Sequence, residues 1–119
     1  MALSILIADD HSEVRSFVKK ALESSGHSVS EADSGRSALA LVESIHFDLI
    51  VTDIVMPDVE GLELIQRLKK TKPEIKIIAI SGAFEGRFLK LAKLLGVKVT
   101  LEKPFSVQAL LDAVTKACG

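Results

Sequence analysis

One cysteine in 119 residues leaves nothing for an internal disulfide. Cys118 therefore reads as a residue packed on the last helix. An excess of charge of either sign is also missing. The 15 lysines and arginines against 16 aspartates and glutamates leave a net charge of −1. That balance gives no broad electrostatic footprint for nucleic acid or anionic lipid, so direct binding to either is not expected. No apolar run is long enough to span a bilayer, and Met1 to Ala8 lacks the basic start and cleavage site of a secretory signal. The expectation is a cytoplasmic protein with no membrane partner. Linkers, repeats and low-complexity segments are absent too, so residues 1–119 are expected to form one domain. A chain of this length buries roughly two-thirds of the surface it exposes when unfolded. A hydrophobic content of 48% with 26% charged residues belongs to a soluble globular protein.

What is present is organised around Asp48 to Asp58, where the strand-favouring run Leu49-Ile50-Val51-Thr52 ends abruptly in Asp53. A run without polar alternation predicts a strand buried on both faces, and Pro57 with Gly61 marks the loop before the next helix. Asp53 then stands at the carboxyl end of a central strand, as either a site residue or a loop cap. The first strand, Ser4 to Ala8, also runs into acid, at Asp9-Asp10. Ser12 is expected to cap the first helix, with Val14, Phe17, Val18, Ala21 and Leu22 as its buried stripe and Gly26 beyond its end. A second, more polar strand follows over His27 to Ala32. The second helix runs from about Ser34 to Ile45, with Ala38, Leu41, Val42 and Ile45 inward. The third helix buries Leu62, Ile65 and Leu68 and stops before Pro73. A fourth strand over Ile75 to Ile80 ends at Ser81-Gly82. The fourth helix carries Phe84, Phe88, Leu91, Ala92 and Leu95 to Gly96. Strand five, Val97 to Leu101, alternates polar and apolar residues, and a fifth helix from about Ser106 packs Val107, Leu110, Leu111 and Val114.

Five strands alternating with five helices predict an α/β domain, a doubly wound (βα)5 parallel sheet of flavodoxin-like type. Placing the polar second and fifth strands at the margins gives the order 2-1-3-4-5. Asp9, Asp10 and Asp53 then converge where the chain reverses direction, with Ser81 and Lys103 along the same edge. Two like charges about 4 Å apart cost roughly 4 kcal/mol at an effective dielectric of 20, so three carboxylates call for a cation or a proton. Few protein oxygens with retained waters match Mg²⁺ better than Ca²⁺, and EF-hand spacing is absent. With Lys103 as a movable positive charge and Ser81 as a hydroxyl donor, the crevice suits delivery of a phosphoryl group to Asp53.

Four motifs in order, Asp9-Asp10, Asp53-Ile54-Val55-Met56-Pro57 with Gly61, Ser81-Gly82-Ala83 and Lys103-Pro104-Phe105, make the chain resemble the receiver domains of two-component response regulators over its full length. The resemblance implies that Asp53 accepts a phosphoryl group from phosphohistidine on a histidine kinase or histidine phosphotransfer protein. It implies Mg²⁺ held by Asp10, Asp53 and the backbone carbonyl of Val55, with Asp9 acting through water. It further implies that Lys103 pairs with the phosphoryl oxygens, that the Lys103–Pro104 bond is cis, and that Ser81 swings inward. The face of fourth helix, fifth strand and fifth helix would then change its affinity for a downstream effector, as a monomer or a phosphorylation-dependent dimer. Such a domain is not an enzyme beyond self-phosphorylation and autodephosphorylation.

Two positions depart from the family pattern. Thr100 stands where an aromatic usually accompanies the switch residue Ser81, which implies altered coupling on that face, carried by Phe84 or Phe88. Val55 and Ala83 stand where polar groups often orient water, which implies a long-lived phosphoaspartate. Asp58 doubles as a candidate cap of the third helix, and His11, beside the acids, reads as an exposed loop residue in preference to a group standing behind the metal ligands. His27 and His46 read as surface residues. Three other readings were weighed. A flavodoxin is disfavoured because Asp9-Asp10-His11-Ser12-Glu13 would repel a phosphate. An aspartyl-phosphate metal-dependent phosphatase usually keeps its nucleophile after the first strand, with a second acid two residues on. A receiver-like scaffold acting without phosphorylation is kept open by Thr100.

Overall fold

The structure is a computed structural model that describes residues 2–56, 61–82 and 86–119, without the side chain of Phe88. Five strands and five helices alternate: β1 (Ser4–Ala8), α1 (Ser12–Ser24), β2 (Ser28–Ala32), α2 (Gly35–Ser44), β3 (Leu49–Asp53), α3 (Gly61–Thr71), β4 (Lys76–Ser81), α4 (Gly86–Leu94), β5 (Val99–Glu102) and α5 (Val107–Cys118). The strands form one parallel sheet in the order β2-β1-β3-β4-β5, as strand polarity predicted. All five residues of β3 are buried, while β2 and β5 are largely half-buried or exposed. An apolar run belongs in the middle of such a sheet because both its faces are covered.

Alternation along the strands sorts the core into two layers. Leu6, Ala8, Ile50, Ile54, Ile77 and Ala79 pack with Ala38 and Val42 of α2, Leu64, Ile65 and Leu68 of α3, and Ala92 of α4. Ile5, Ile7, Leu49, Val51, Ile78 and Ile80 pack on the other face with Val18 and Leu22 of α1 and Leu110, Ala113 and Val114 of α5. Because successive side chains point to opposite faces, one strand serves both layers. Phe17 is 39% exposed, yet it meets Phe105 edge to face at 6.0 Å, tying α1 to the segment after β5. Cys118 is half-buried against the α1/α5 layer, and removal from water raises its thiol pKa.

Several local expectations change. Ser12 is the first residue of α1, and His11 occupies the cap position without a side-chain capping bond. Ile45, expected inward, is the C-cap of α2 in extended backbone and is 42% exposed. Leu91 at 43% and Val107 at 42% exposed leave their predicted stripes, whereas Leu64, outside the predicted set, is fully buried. Leu62 is only partly buried against the core. Strand β4 runs from Lys76 to Ser81 and β5 from Val99 to Glu102, so both lie later in the chain than the alternation predicted. Gly26 and Gly96 take φ values of 93° and 96° at the ends of α1 and α4, the left-handed conformation expected of them. The expectations for Pro57, Asp58, Ala83, Phe84 and the side chain of Phe88 lie outside the described residues.

Candidate functional site

The carboxyl ends of β1, β3 and β4 bring one acid cluster together. Parallel register sets Ala8 beside Thr52 and Asp53 beside Ile80, so Asp9 and Asp53 emerge from neighbouring strands at nearly the same height. Asp9 is fully buried and Asp53 is 2% exposed, whereas the side chain of Asp10 is 34% exposed. Both oxygens of Asp53 are engaged. Oδ1 accepts the Val55 N–H at 3.0 Å, and Oδ2 accepts from Lys103 Nζ at 2.8 Å. Lys103 comes from the loop after β5, where its N–H donates to the Ser81 carbonyl at 2.7 Å and the Lys103–Pro104 peptide is cis. The ammonium also lies 2.9 Å from Asp9 Oδ2.

Other groups close around these acids. Arg15 of α1 donates through Nη1 to the Asp9 carbonyl at 2.7 Å, and the Asp9 N–H donates to Ala32 at 3.1 Å, which fixes the β1 exit. The Ser81 hydroxyl is buried and donates to the Gly82 carbonyl at 3.3 Å. Thr100 is half-buried in β5 opposite Ala79. Val55 is 37% exposed beside Asp53. His11, expected as an exposed loop residue in preference to a group behind the ligands, joins the cluster directly. Its N–H donates to Asp9 Oδ1 at 2.8 Å, and its Nδ1 lies 2.9 Å from that oxygen and 3.1 Å from Asp10 Oδ1. A histidine one residue beyond an acidic pair, on the turn into a helix, was the available signal, but a largely exposed ring gave no reason to prefer it.

The charges do not balance. Among the described residues three carboxylates face one ammonium, and the ionic contact of Asp9 Oδ2 with Lys103 lacks hydrogen-bond alignment, leaving that buried oxygen with no hydrogen-bond partner there. Ligand atoms of Asp9, Asp10, His11 and Asp53 lie within 4.8 Å of one another. Surplus negative charge, a buried oxygen wanting a partner and an oxygen-rich donor set together fit a hard divalent cation.

The same imbalance sets the proton affinities. Burial raises the pKa of Asp53, aided by the Asp9 charge, and this outweighs the lowering by the Lys103 and Val55 hydrogen bonds. Burial alone would lower Lys103, but its hydrogen bond to Asp53, its close contact with Asp9 and the charges of both acids carry it above its ordinary value. The two upward shifts are compatible because one cation gains from two acids while each acid has only a share of that cation. Asp53 is raised above 3.8, so between that pH and its folded pKa the native state holds a proton that the unfolded chain has released. Its contribution to stability is thus present below that pH and lost as pH rises through the folded pKa. Metal-free Asp53→Asn should accordingly be more stable than wild type at neutral pH, by roughly 1 kcal/mol, with the gap closing in acid. Lys103 works in the same sense at the alkaline end: its contribution holds below 10.5 and is lost as pH rises through the raised folded value. Urea denaturation across pH checks both limbs.

Comparison with known proteins agrees with this geometry. The family model of the response regulator receiver domain matches residues 5–115. The response regulator receiver protein CpdR of Brucella abortus is 35% identical over 112 residues, covering 94% of this chain and 93% of CpdR. The sensor kinase CckA of the same organism is 37% identical over 113 residues, but the chain spans only 12% of its length. Likewise it spans 24% of the transcriptional regulator NtrC of Azospirillum brasilense. The crystal structure of the receiver domain of NtrX from Brucella abortus superposes with a TM-score of 0.92 at 30% identity, covering 96% of this chain and 97% of that one. Among the described residues, no helix is long and apolar enough to cross a membrane. With a matched family model spanning nearly the whole chain and an acidic crevice at the matching strand ends, the chain belongs to the response regulator receiver domain family.

Proposed function

We propose that Asp53 is the phosphoacceptor of a two-component relay and that its donor is phosphohistidine on a histidine kinase or histidine phosphotransfer protein. The observation that carries this reading is the buried Asp53 carboxylate, held at one oxygen by the Val55 N–H and at the other by Lys103. Both bonds orient the carboxylate before a donor arrives, so little ordering remains to be done during transfer. An Asp53 oxygen forms the new P–O bond as the donor's P–N bond breaks, and the imidazole departs with the electron pair. Burial keeps the nucleophile poorly hydrated. Lys103, already beside Asp53 Oδ2, then has phosphoryl oxygens to pair with, and Ser81 can exchange its bond to Gly82 for one to the phosphoryl group.

Mg²⁺ is the cation that suits the oxygen donors Asp10, Asp53 and the Val55 carbonyl, with Asp9 behind them, and when bound it would neutralise charge on the transferring group. Kinase-type relatives such as CckA support a histidine kinase as partner. For output, Leu94 at 83% and Leu91 at 43% exposed give α4 an apolar surface, and Thr100 of β5 is half-buried. That supports an effector, or a second copy after phosphorylation, docking on α4, β5 and α5.

The test is incubation with acetyl phosphate, a small donor whose P–O bond replaces the P–N bond, followed by intact mass. Wild type should gain one phosphoryl group with Mg²⁺ present and none with excess EDTA; equal uptake without the ion would contradict the reading. Exposed Val55, an apolar residue beside the acceptor, offers no group to orient an attacking water. The phosphoryl group is therefore expected to decay slowly once the donor is removed, and substitution of a carboxamide at Val55 should shorten its half-life.

A further inference from the structure

The imidazole of His11 sits on the acid cluster in a position that oxygen-ligand chemistry does not require. His11 caps α1 with extended backbone and makes no side-chain capping bond, so its ring has no structural duty at the helix end. Instead Nδ1 lies 2.9 Å from Asp9 Oδ1 and 3.1 Å from Asp10 Oδ1. Those separations match the edge of an octahedron, which is ~3.0 Å when metal–ligand bonds are ~2.1 Å. The four candidate ligand atoms span at most 4.8 Å, against ~4.2 Å across the same octahedron, so sub-ångström movements would close the shell. Lys103 shares the cluster, its Nζ 3.4 Å from His11 Nδ1, so an ion seated on that nitrogen displaces the ammonium from the ring. The ammonium pairs with Oδ2 of Asp9 and Oδ2 of Asp53, while His11 faces the other oxygen of Asp9.

We propose that His11 Nδ1 is a metal ligand of this crevice, which equips the site for imidazole-favouring first-row divalent ions such as Co²⁺, Ni²⁺ and Zn²⁺ as well as for Mg²⁺. The proposal rests on reading the crevice as the divalent-cation site of a receiver domain. A carboxylate, carbonyl and water shell suits Mg²⁺, and an imidazole adds little for an ion that prefers oxygen. Borderline ions gain from a nitrogen donor, so His11 raises their affinity selectively. The ring is 63% exposed, leaving Nε2 open to water while Nδ1 faces the acids.

Titration of the full chain with Co²⁺ and with Mg²⁺ at pH 8, where an ordinary imidazole is neutral, tests this, using wild type, His11→Ala and His46→Ala. His46 is the control because it pairs with Asp48 at 3.5 Å and forms a second histidine–carboxylate pair. The expected result is a set of hyperfine-shifted, non-exchanging imidazole C–H resonances in Co²⁺-loaded wild type and His46→Ala that is missing from His11→Ala. Co²⁺ affinity should fall at least tenfold in His11→Ala, while Mg²⁺ affinity changes less than threefold. Circular dichroism that matches wild type excludes misfolding as the cause. The proposal is overturned if Co²⁺ binds both proteins equally, or if the shifted resonances follow His46; Mg²⁺ binding by wild type would then leave the phosphoacceptor reading intact. Failure of wild type to bind either ion overturns the proposal and the cation-site reading together.

Discussion

Asp53→Asn should take up no phosphoryl group from acetyl phosphate and Mg²⁺ under conditions in which wild type is labelled. The substitution keeps the shape of the side chain, so an oxygen can still accept from Val55 or Lys103, both within 3.0 Å of the native carboxylate. What it removes is the charged nucleophile, since a carboxamide oxygen is too weak to displace the donor. Asp9 and Asp10 remain nearby but are engaged otherwise: Asp9 is fully buried against Lys103 and His11, and Asp10 faces His11. The variant should stay folded and gain stability without metal, because one of three crowded carboxylates has gone. Loss of labelling from a more stable protein separates chemistry from misfolding. Retained labelling would move the acceptor to another residue.

Gly61→Ala should be strongly damaging for so small a substitution. A Cβ at Gly61 would overlap the Asp53 carbonyl oxygen and the Ile54 Cα, both backbone atoms that no rotamer change can move aside. Either the start of α3 or the end of β3 must shift, and Leu64, Ile65 and Leu68 of α3 are locked in the core. Overpacking of this kind costs about 3 kcal/mol. A shift of the β3 end would also misplace Asp53, and a displacement near 1 Å is enough to slow transfer roughly a hundredfold. Urea denaturation and the rate of phosphoryl uptake measure the two effects. Wild-type values for both would show that the approach of α3 to β3 is not a constraint.

Sheet order was legible because it follows from burial: unbroken apolar runs in β1, β3 and β4 belong inside, and mixed β2 and β5 belong at the edges. The meeting of Asp9, Asp10, Asp53 and Lys103 followed from that order alone. Helix ends were less legible. Ile45, Leu91 and Val107 obey helical spacing, yet each is exposed, because spacing identifies a face without telling where the neighbouring layer stops. Boundaries in β4 and β5 moved by one or two residues for a similar reason, since only the ladder partner decides where pairing begins. Gly61 could be picked out as a motif residue, but its contact with the Asp53 carbonyl is a packing fact. His11 could be read as a neighbour of the acids, but not as a residue in contact with them. Only the α1 turn brings its ring over the two acids.

Trapping the acyl phosphate reads the central claim at a single residue. Hydride reduction of a phosphorylated aspartate expels phosphate and leaves homoserine, which is lighter than the aspartate it replaces, so tandem mass spectrometry of the digest locates the reduced position. Wild-type protein treated with acetyl phosphate and Mg²⁺, then with borohydride, should carry homoserine at position 53 and at neither position 9 nor position 10. Homoserine at either of those positions, or none anywhere after labelling, would contradict the assignment of Asp53 as the residue that holds the phosphoryl group.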